Sequence, residues 1–215
     1  MPARPSNLAF SPTEDHNIVN PPTKKMAEAT LVTGGCRSGK SRHAQMLAET
    51  VPGLHRRYIA TCVPLDDEMQ RRVSRHQAER GPAWLTVEAP LDVAEALDKH
   101  APQADVILVD CLTLWISNLM GAGKDMGGIV DTAHELADAA QRAVCPVILV
   151  TNEVGAGIVP ENALARAYRD AAGLVNQIMA AACDTVIWTV AGIPVTIKPQ
   201  MGPSSAAGGP TGGGA

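Results

Sequence analysis

Short β-branched apolar runs alternate with longer amphipathic stretches along most of this chain. Six runs read as strands: Thr30–Thr33, Arg57–Ala60, Val106–Asp110, Val147–Thr151, Thr185–Val190 and Pro194–Lys198. Several, such as VILVD and VILV, lack polar alternation. Strands apolar on both faces belong to a parallel sheet covered by helices on each side. Helical periodicity fills the intervals at Ser41–Glu49, Asp66–Arg80, Val93–His100, Asp131–Val144 and Asn162–Cys183. In the last of these, Leu164, Tyr168, Ala171, Val175, Ile178 and Ala182 recur at helical steps and predict one buried stripe. The alternation predicts a three-layer α/β fold with a mostly parallel central sheet and right-handed crossovers.

Both ends break the pattern. Residues 1–27 are rich in Pro, Asn, Ser and Thr and read as a flexible tail; residues 199–215 read as a second, Gly/Pro-rich one. One catalytic domain is expected over 28–198. Net charge is −4 and aromatics make up 3% of the 215 residues, so neither a basic surface nor a stacking platform for nucleic acid is expected. No apolar run approaches the ~20 residues of a membrane span. The N-terminal segment lacks the apolar core of a secretory signal. The five cysteines (36, 62, 111, 145 and 183) are scattered and odd in number, and read as reduced thiols of a cytoplasmic protein.

Four segments carry candidate chemistry. The first is GGCRSGKS, residues 34–41, between a strand and a helix. Its glycines let backbone N–H groups turn inward around an anion, and the helix start points its positive end at the same place. Lys40 then reaches the β/γ-phosphates, and the Ser41 hydroxyl is placed for Mg²⁺. Gly34, Gly35, Cys36, Arg37, Ser38, Gly39, Lys40 and Ser41 therefore form a phosphate loop, and the fold becomes the RecA/kinase-like P-loop kind. The second is Asp110, closing an apolar strand. It is either a Mg²⁺ ligand beside Ser41 or the cap of the next helix.

The third segment, residues 65–82, is a charged helix. Met69, Val73, His76 and Arg80 fall on one of its faces, with Asp66 as N-cap. Arg72 and Arg75 flank His76, and neighbouring cations favour neutral imidazole, the nucleophilic form. The same pattern also describes a solvated charged face with an incidental histidine. The fourth, TNEVGAGIVPEN at 151–162, is either a substrate loop in which Asn152 and Glu153 bind a hydroxyl or take its proton, or a glycine bend ending in an Asn162 cap. His43, His55, His100 and His134 have no metal-ligand spacing.

Together the runs LVTGGCRSGKSRHAQ, YIATC, RRVSRHQAERGPAW, TNEVGAGIVPEN and LARAYRDAAGLVNQ resemble one family, the bifunctional adenosylcobinamide kinase / adenosylcobinamide-phosphate guanylyltransferases of cobalamin biosynthesis. The resemblance spans residues 31–198. It implies two reactions. A nucleoside triphosphate, ATP or GTP, phosphorylates adenosylcobinamide, and GTP then gives GMP to adenosylcobinamide phosphate through a GMP–histidine intermediate. His76 matches that histidine, with Lys40 as the other catalytic residue. Ala60, Thr61 and Cys62, the run Gln77, Ala78, Glu79 and Arg80, and the acids Glu88 and Asp110 match nucleotide-contacting positions. The resemblance also implies Mg²⁺ at Ser41 and Asp110, and a homotrimer. Some relatives carry two adjacent histidines where this chain has Arg75-His76, Glu at the place of Asp110, and Ser at the place of Cys62. Two other readings stand beside this one: a monofunctional P-loop small-molecule kinase with an inert His76, and a nucleotide-binding regulatory switch.

Overall fold

The computed structural model describes residues 27–64 and 66–199; the side chains of Glu68, Met69, Arg72, Val73, Arg75, His76 and Glu79 lie outside what it describes. So does nearly all of both expected tails. Among the described residues seven strands form one sheet: β1 (Ala29–Gly34), β2 (Arg56–Ala60), β3 (Trp84–Glu88), β4 (Val106–Asp110), β5 (Val147–Val150), β6 (Thr185–Val190) and β7 (Ile193–Lys198). Their order is β3-β2-β4-β5-β1-β6-β7, parallel throughout except for the antiparallel edge strand β7. Six α-helices lie among the same residues: α1 (Lys40–Thr50), α2 (Asp67–Arg80), α3 (Val93–His100), α4 (Leu112–Gly121), α5 (Met126–Arg142) and α6 (Ala163–Ala182).

The central strands are covered on both sides, which explains their unbroken apolar runs. On one face, Val32, Val106, Leu108, Ile148 and Val150 pack against Ala44 and Ala48 of α1. On the other, Leu31, Ile59, Ile107, Val109 and Leu149 meet Leu97, Trp115, Ile116, Leu136, Val175 and Met179 from α3–α6. This second core is much the larger, and it anchors the sheet.

Three elements depart from the expectation. Strand β3 was not anticipated; its short run WLTVE pairs in register with β2 and widens the sheet. Helix α4 was not anticipated either; it buries Leu112, Thr113, Trp115, Ile116 and Leu119 on one side, but an apolar residue, Leu114, is exposed on the other and blurs the period in the sequence. Helix α5 starts at Met126, not Asp131, because the Asp125 side chain caps it by accepting from the Gly128 N–H (2.8 Å) across a Gly-Gly pair of low helix propensity. In α6 the expected stripe holds from Tyr168 onwards: Ala171 and Val175 are buried, and Tyr168, Ile178 and Ala182 pack against the core, whereas Leu164 is 68% exposed. Asn162 does cap this helix, accepting from the Ala165 N–H at 3.1 Å.

Candidate active site

The phosphate loop joins β1 to α1 where backbone alone fits. A Cβ at Gly34 would lie 2.4 Å from the Thr189 carbonyl oxygen and 2.6 Å from Ser38 Oγ, so only hydrogen is tolerated. Gly39 has φ 92°, the left-handed region that favours glycine, and serves as N-cap of α1. The α1 first turn carries no acid that would compete for its positive end. Lys40 is buried and donates from Nζ to the Gly35 carbonyl (3.2 Å), which folds the ammonium back over the loop. Cys36 and Arg37 sit exposed on the crest, Arg37 with φ 55°.

One flank of the loop faces β4, β2 and α2. A cleft of about 380 Å³ is lined there by Ser41, Arg42, Gln45, Glu49, Tyr58, Arg80 and Asp110, among others. Asp110 does not cap the following helix; the N-cap of α4 is Cys111, with no side-chain bond. Instead Asp110 Oδ2 accepts from the Tyr58 hydroxyl at 3.2 Å. The Arg80 guanidinium lies over the Tyr58 ring, 3.5 Å from its centroid, and Trp84 meets that ring edge-on at 6.3 Å. Arg80 also donates to Thr86 Oγ1 (3.4 Å). These contacts fix the C-terminal end of α2 beside the loop. Burial, reinforced by the Asp110 charge, raises the Tyr58 pKa, so its hydroxyl stays a donor. Burial likewise raises the Cys111 thiol and keeps it unreactive.

Ala60, Glu88 and Asp110 lie level at the carboxyl ends of three neighbouring strands, because Ala60 pairs with Glu88 on one side and Asp110 on the other. Open α/β sheets bind ligands at this edge. Thr61 is buried; its hydroxyl donates to the Cys111 carbonyl (2.8 Å) and accepts from the Cys111 N–H (2.9 Å), while Asn118 Nδ2 donates to the Thr61 carbonyl (2.8 Å). Its side chain therefore stitches the β2 and β4 ends together. Cys62 is half-buried, and Gln77 and Ala78 are exposed on α2. The side chains of His76 and Glu79, and with them the predicted Met69–Val73–His76 face, lie outside the described residues.

Among the described residues no group of three or more His, Cys, Asp and Glu could hold a metal ion. A Mg²⁺ ion needs less from the protein when a nucleotide supplies phosphate oxygens; one hydroxyl and one carboxylate in a shared cleft match its preference for hard oxygen donors. Ser41 and Asp110 line the same cleft and fit that role.

The other flank faces β6 and β7. Here a second cavity, about 360 Å³, is lined by Gly35, Cys36, Arg37 and Ser38 together with Glu153, Ala156 and the Trp188–Ala191 turn region. Of the two residues expected to handle a hydroxyl, Asn152 is committed. Its Nδ2 donates to Thr113 Oγ1 (2.9 Å), and its carbonyl accepts from Asn176 Nδ2 (3.1 Å). Glu153 is held beside the loop by its N–H to the Gly34 carbonyl (3.0 Å), and its Oε1 accepts from the Gly155 N–H (2.6 Å). Asn118 and Trp188 escaped the sequence reading, and Tyr58 and Thr113 were given no role in it; each acquires its place through packing.

The family model of cobinamide kinase / cobinamide phosphate guanyltransferase matches residues 30–197. The chain is 44% identical over 183 residues to the bifunctional adenosylcobalamin biosynthesis protein CobU of Salmonella typhimurium, covering 78% of this chain and 98% of that one. It is 43% identical over 180 residues to the protein of the same name from Escherichia coli, with 78% and 98% covered. It is 42% identical over 168 residues to the bifunctional adenosylcobalamin biosynthesis protein CobP of Pseudomonas aeruginosa, with 78% and 96% covered. With a family match over nearly all described residues and a phosphate loop facing a strand-end carboxylate, this chain belongs to the cobinamide kinase / cobinamide phosphate guanyltransferase family.

Proposed function

We propose that this protein phosphorylates adenosylcobinamide with ATP or GTP, and then transfers GMP from GTP to adenosylcobinamide phosphate, releasing pyrophosphate. The observation that carries the reading is the β4-side cleft, in which Ser41, Asp110 and Arg80 converge from three elements on the phosphate loop. Residues Gly34–Ser41 hold the triphosphate by main-chain N–H groups and the Lys40 ammonium, which neutralises charge developing on the β- and γ-oxygens. Ser41 and Asp110 would hold Mg²⁺, which would supply further charge neutralisation there.

In the second reaction the His76 imidazole attacks the α-phosphorus. An N–P bond forms and the α–β bridging bond breaks, so pyrophosphate leaves; the substrate phosphate then takes the GMP and frees the histidine. Ala60–Cys62, Gln77–Arg80 and Glu88 contact the nucleotide. Arg80 closes the helix that carries His76 and is fixed against Tyr58, which ties that helix to the nucleotide cleft. The enzyme acts in the cytoplasm as a homotrimer. Among the described residues no helix is long and apolar enough to cross a membrane, which agrees with that setting.

Incubation with α-labelled GTP and Mg²⁺ tests the reading. An acid-labile GMP adduct on His76 is expected by mass spectrometry. A His76→Ala variant is expected to lose labelling while still phosphorylating adenosylcobinamide. Kinase turnover without any adduct in the native chain would leave only a monofunctional kinase.

A further inference from the structure

Two of the nucleotide-contacting turns in that reading grow from strands that are not neighbours. The Ala60–Cys62 turn follows β2 and the phosphate loop follows β1, and the sheet order β2-β4-β5-β1 puts two strands between them. A single nucleotide that meets both turns needs their separation fixed at the strand ends, where the sheet ladder has stopped.

A continuous series of hydrogen bonds spans that gap along the carboxyl edge of the sheet. After β2, the buried Thr61 hydroxyl donates to the Cys111 carbonyl and accepts from the Cys111 N–H. After β4, Cys111 Sγ lies 3.2 Å from Thr113 Oγ1, and the Tyr168 hydroxyl of α6 donates to the Thr113 carbonyl at 3.1 Å. After β5, Asn152 Nδ2 donates to the same Thr113 Oγ1 at 2.9 Å, which leaves the threonine proton for the sulfur. The next residue, Glu153, donates its N–H to the Gly34 carbonyl that opens the phosphate loop (3.0 Å).

Asn152 joins the two halves of this series, its side chain bonded to the β4 end and its main chain leading to the β1 end. The backbone there is clamped as well. The Asn152 carbonyl accepts from Asn176 Nδ2 (3.1 Å), Asn176 Oδ1 accepts from the Thr151 hydroxyl (2.6 Å), and the Thr151 N–H donates to the Val32 carbonyl (3.0 Å). The anchored end of the loop is Gly34-Gly35, a pair with more backbone freedom than any other. The Gly35 carbonyl is held from within the loop, by the Ser38 N–H (3.3 Å) and Lys40 Nζ (3.2 Å). The Gly34 carbonyl is held from outside, by Glu153, and peptide planarity then sets the Gly35 N–H opposite to it.

We propose that Asn152 is a positioning residue for the triphosphate: bonded to Thr113, it sets the phosphate loop against the Ala60–Cys62 turn, and it does not bind the hydroxyl of the acceptor. The proposal rests on the kinase reading above, in which both turns meet one nucleotide. Without the bridge the loop visits other orientations, and apparent affinity for the triphosphate falls by the fraction of loops that remain competent. Bound triphosphate still draws the loop to the same place, so turnover at saturation holds.

Steady-state kinase assays on the full chain, with calorimetric titration of the same proteins by GTP and Mg²⁺, test the assignment. Asn152→Ala is expected to raise KM for the triphosphate and Kd for GTP together, about 5–10-fold, the contribution of one buried hydrogen bond. kcat and KM for adenosylcobinamide should hold. Thr113→Val removes the same bond from its other end and covers the case in which the asparagine variant folds poorly; the double variant should bind GTP no more weakly than either single one. Thr113→Ser keeps the hydroxyl and should recover the affinity that Thr113→Val loses. A rise confined to KM for adenosylcobinamide in Asn152→Ala would overturn the proposal and make this side chain a substrate ligand. Lower thermal stability with an unmoved Kd for GTP in both single variants would overturn it too, leaving the bridge as scaffold. A native protein that binds GTP but phosphorylates no adenosylcobinamide would instead sink the functional reading, and the Kd values of the variants would still decide the bridge.

Discussion

The two flanks of the phosphate loop are built from different materials. The β4 flank is polar and cross-braced: Tyr58, Arg80, Trp84 and Asp110, from four separate segments, hold one another through a hydrogen bond, a cation–π contact and an edge-on ring contact. The β6 flank is apolar and open, an exposed hairpin face with hydroxyls at its base. The contrast teaches what each flank suits. Charged phosphates and metal need fixed donors whose geometry is set before binding. An exposed apolar face offers area to bury and no preset polar geometry.

That contrast can be broken from the centre outwards. Lys40 folds back over the loop between the two flanks, and Lys40→Ala is expected to lower kcat/KM of kinase turnover and the rate of GMP labelling alike by about 10²–10³-fold, the usual loss of one charge-stabilising donor. A variant that lost only one activity would show that the two reactions do not share the loop. Next, Asp110→Asn acts on the polar flank alone. Kinase kcat should fall about 10²-fold at any Mg²⁺ concentration, with KM for adenosylcobinamide unchanged.

Tyr58→Phe sharpens the comparison further. It removes the bond to Asp110 and keeps the ring under Arg80. The Mg²⁺ concentration for half-maximal turnover should rise about tenfold, since a hydrogen bond to a carboxylate contributes ~1.5 kcal/mol. Saturating Mg²⁺ should restore kcat, which it cannot do for Asp110→Asn. An unchanged Mg²⁺ titration would leave Tyr58 as packing only.

The smallest expected effect lies away from both flanks and reports on the scaffold. Burial pushes the Cys183 thiol from 9.0 up to about 12. Its stabilising contribution is complete below pH 9 and is lost as pH rises through 12, because the unfolded chain releases that proton first. Denaturant titrations should show stability falling by at most ~1.4 kcal/mol per pH unit from this thiol. Cys183→Ala should flatten the slope and leave the site's activities intact.

Much of this was written locally. The spacing of Gly34, Gly39, Lys40 and Ser41 encodes the loop, since an anion cradle needs only a few consecutive residues of the right conformation. The strands β4 and β5 declared themselves by unbroken apolar runs, and α3 was placed at both ends as expected. Helix α4 stayed hidden because the exposed Leu114 blurs its period, and β3 because WLTVE mixes apolar and polar residues and has no fully buried position. Leu164 continued a helical stripe in sequence, but lies exposed.

By itself the sequence determined the phosphate loop, the alternation of strands and helices, and the kinship that names two reactions, because each is carried by residues close together in the chain. Only the tertiary structure decided that Asp110 bonds Tyr58 instead of capping a helix, that Asn152 is committed to Thr113, and that an apolar hairpin borders the loop opposite the charged cleft. Those facts depend on sheet order. A parallel sheet brings strand ends together from positions far apart in the chain, and no spacing along the sequence records which ends become neighbours.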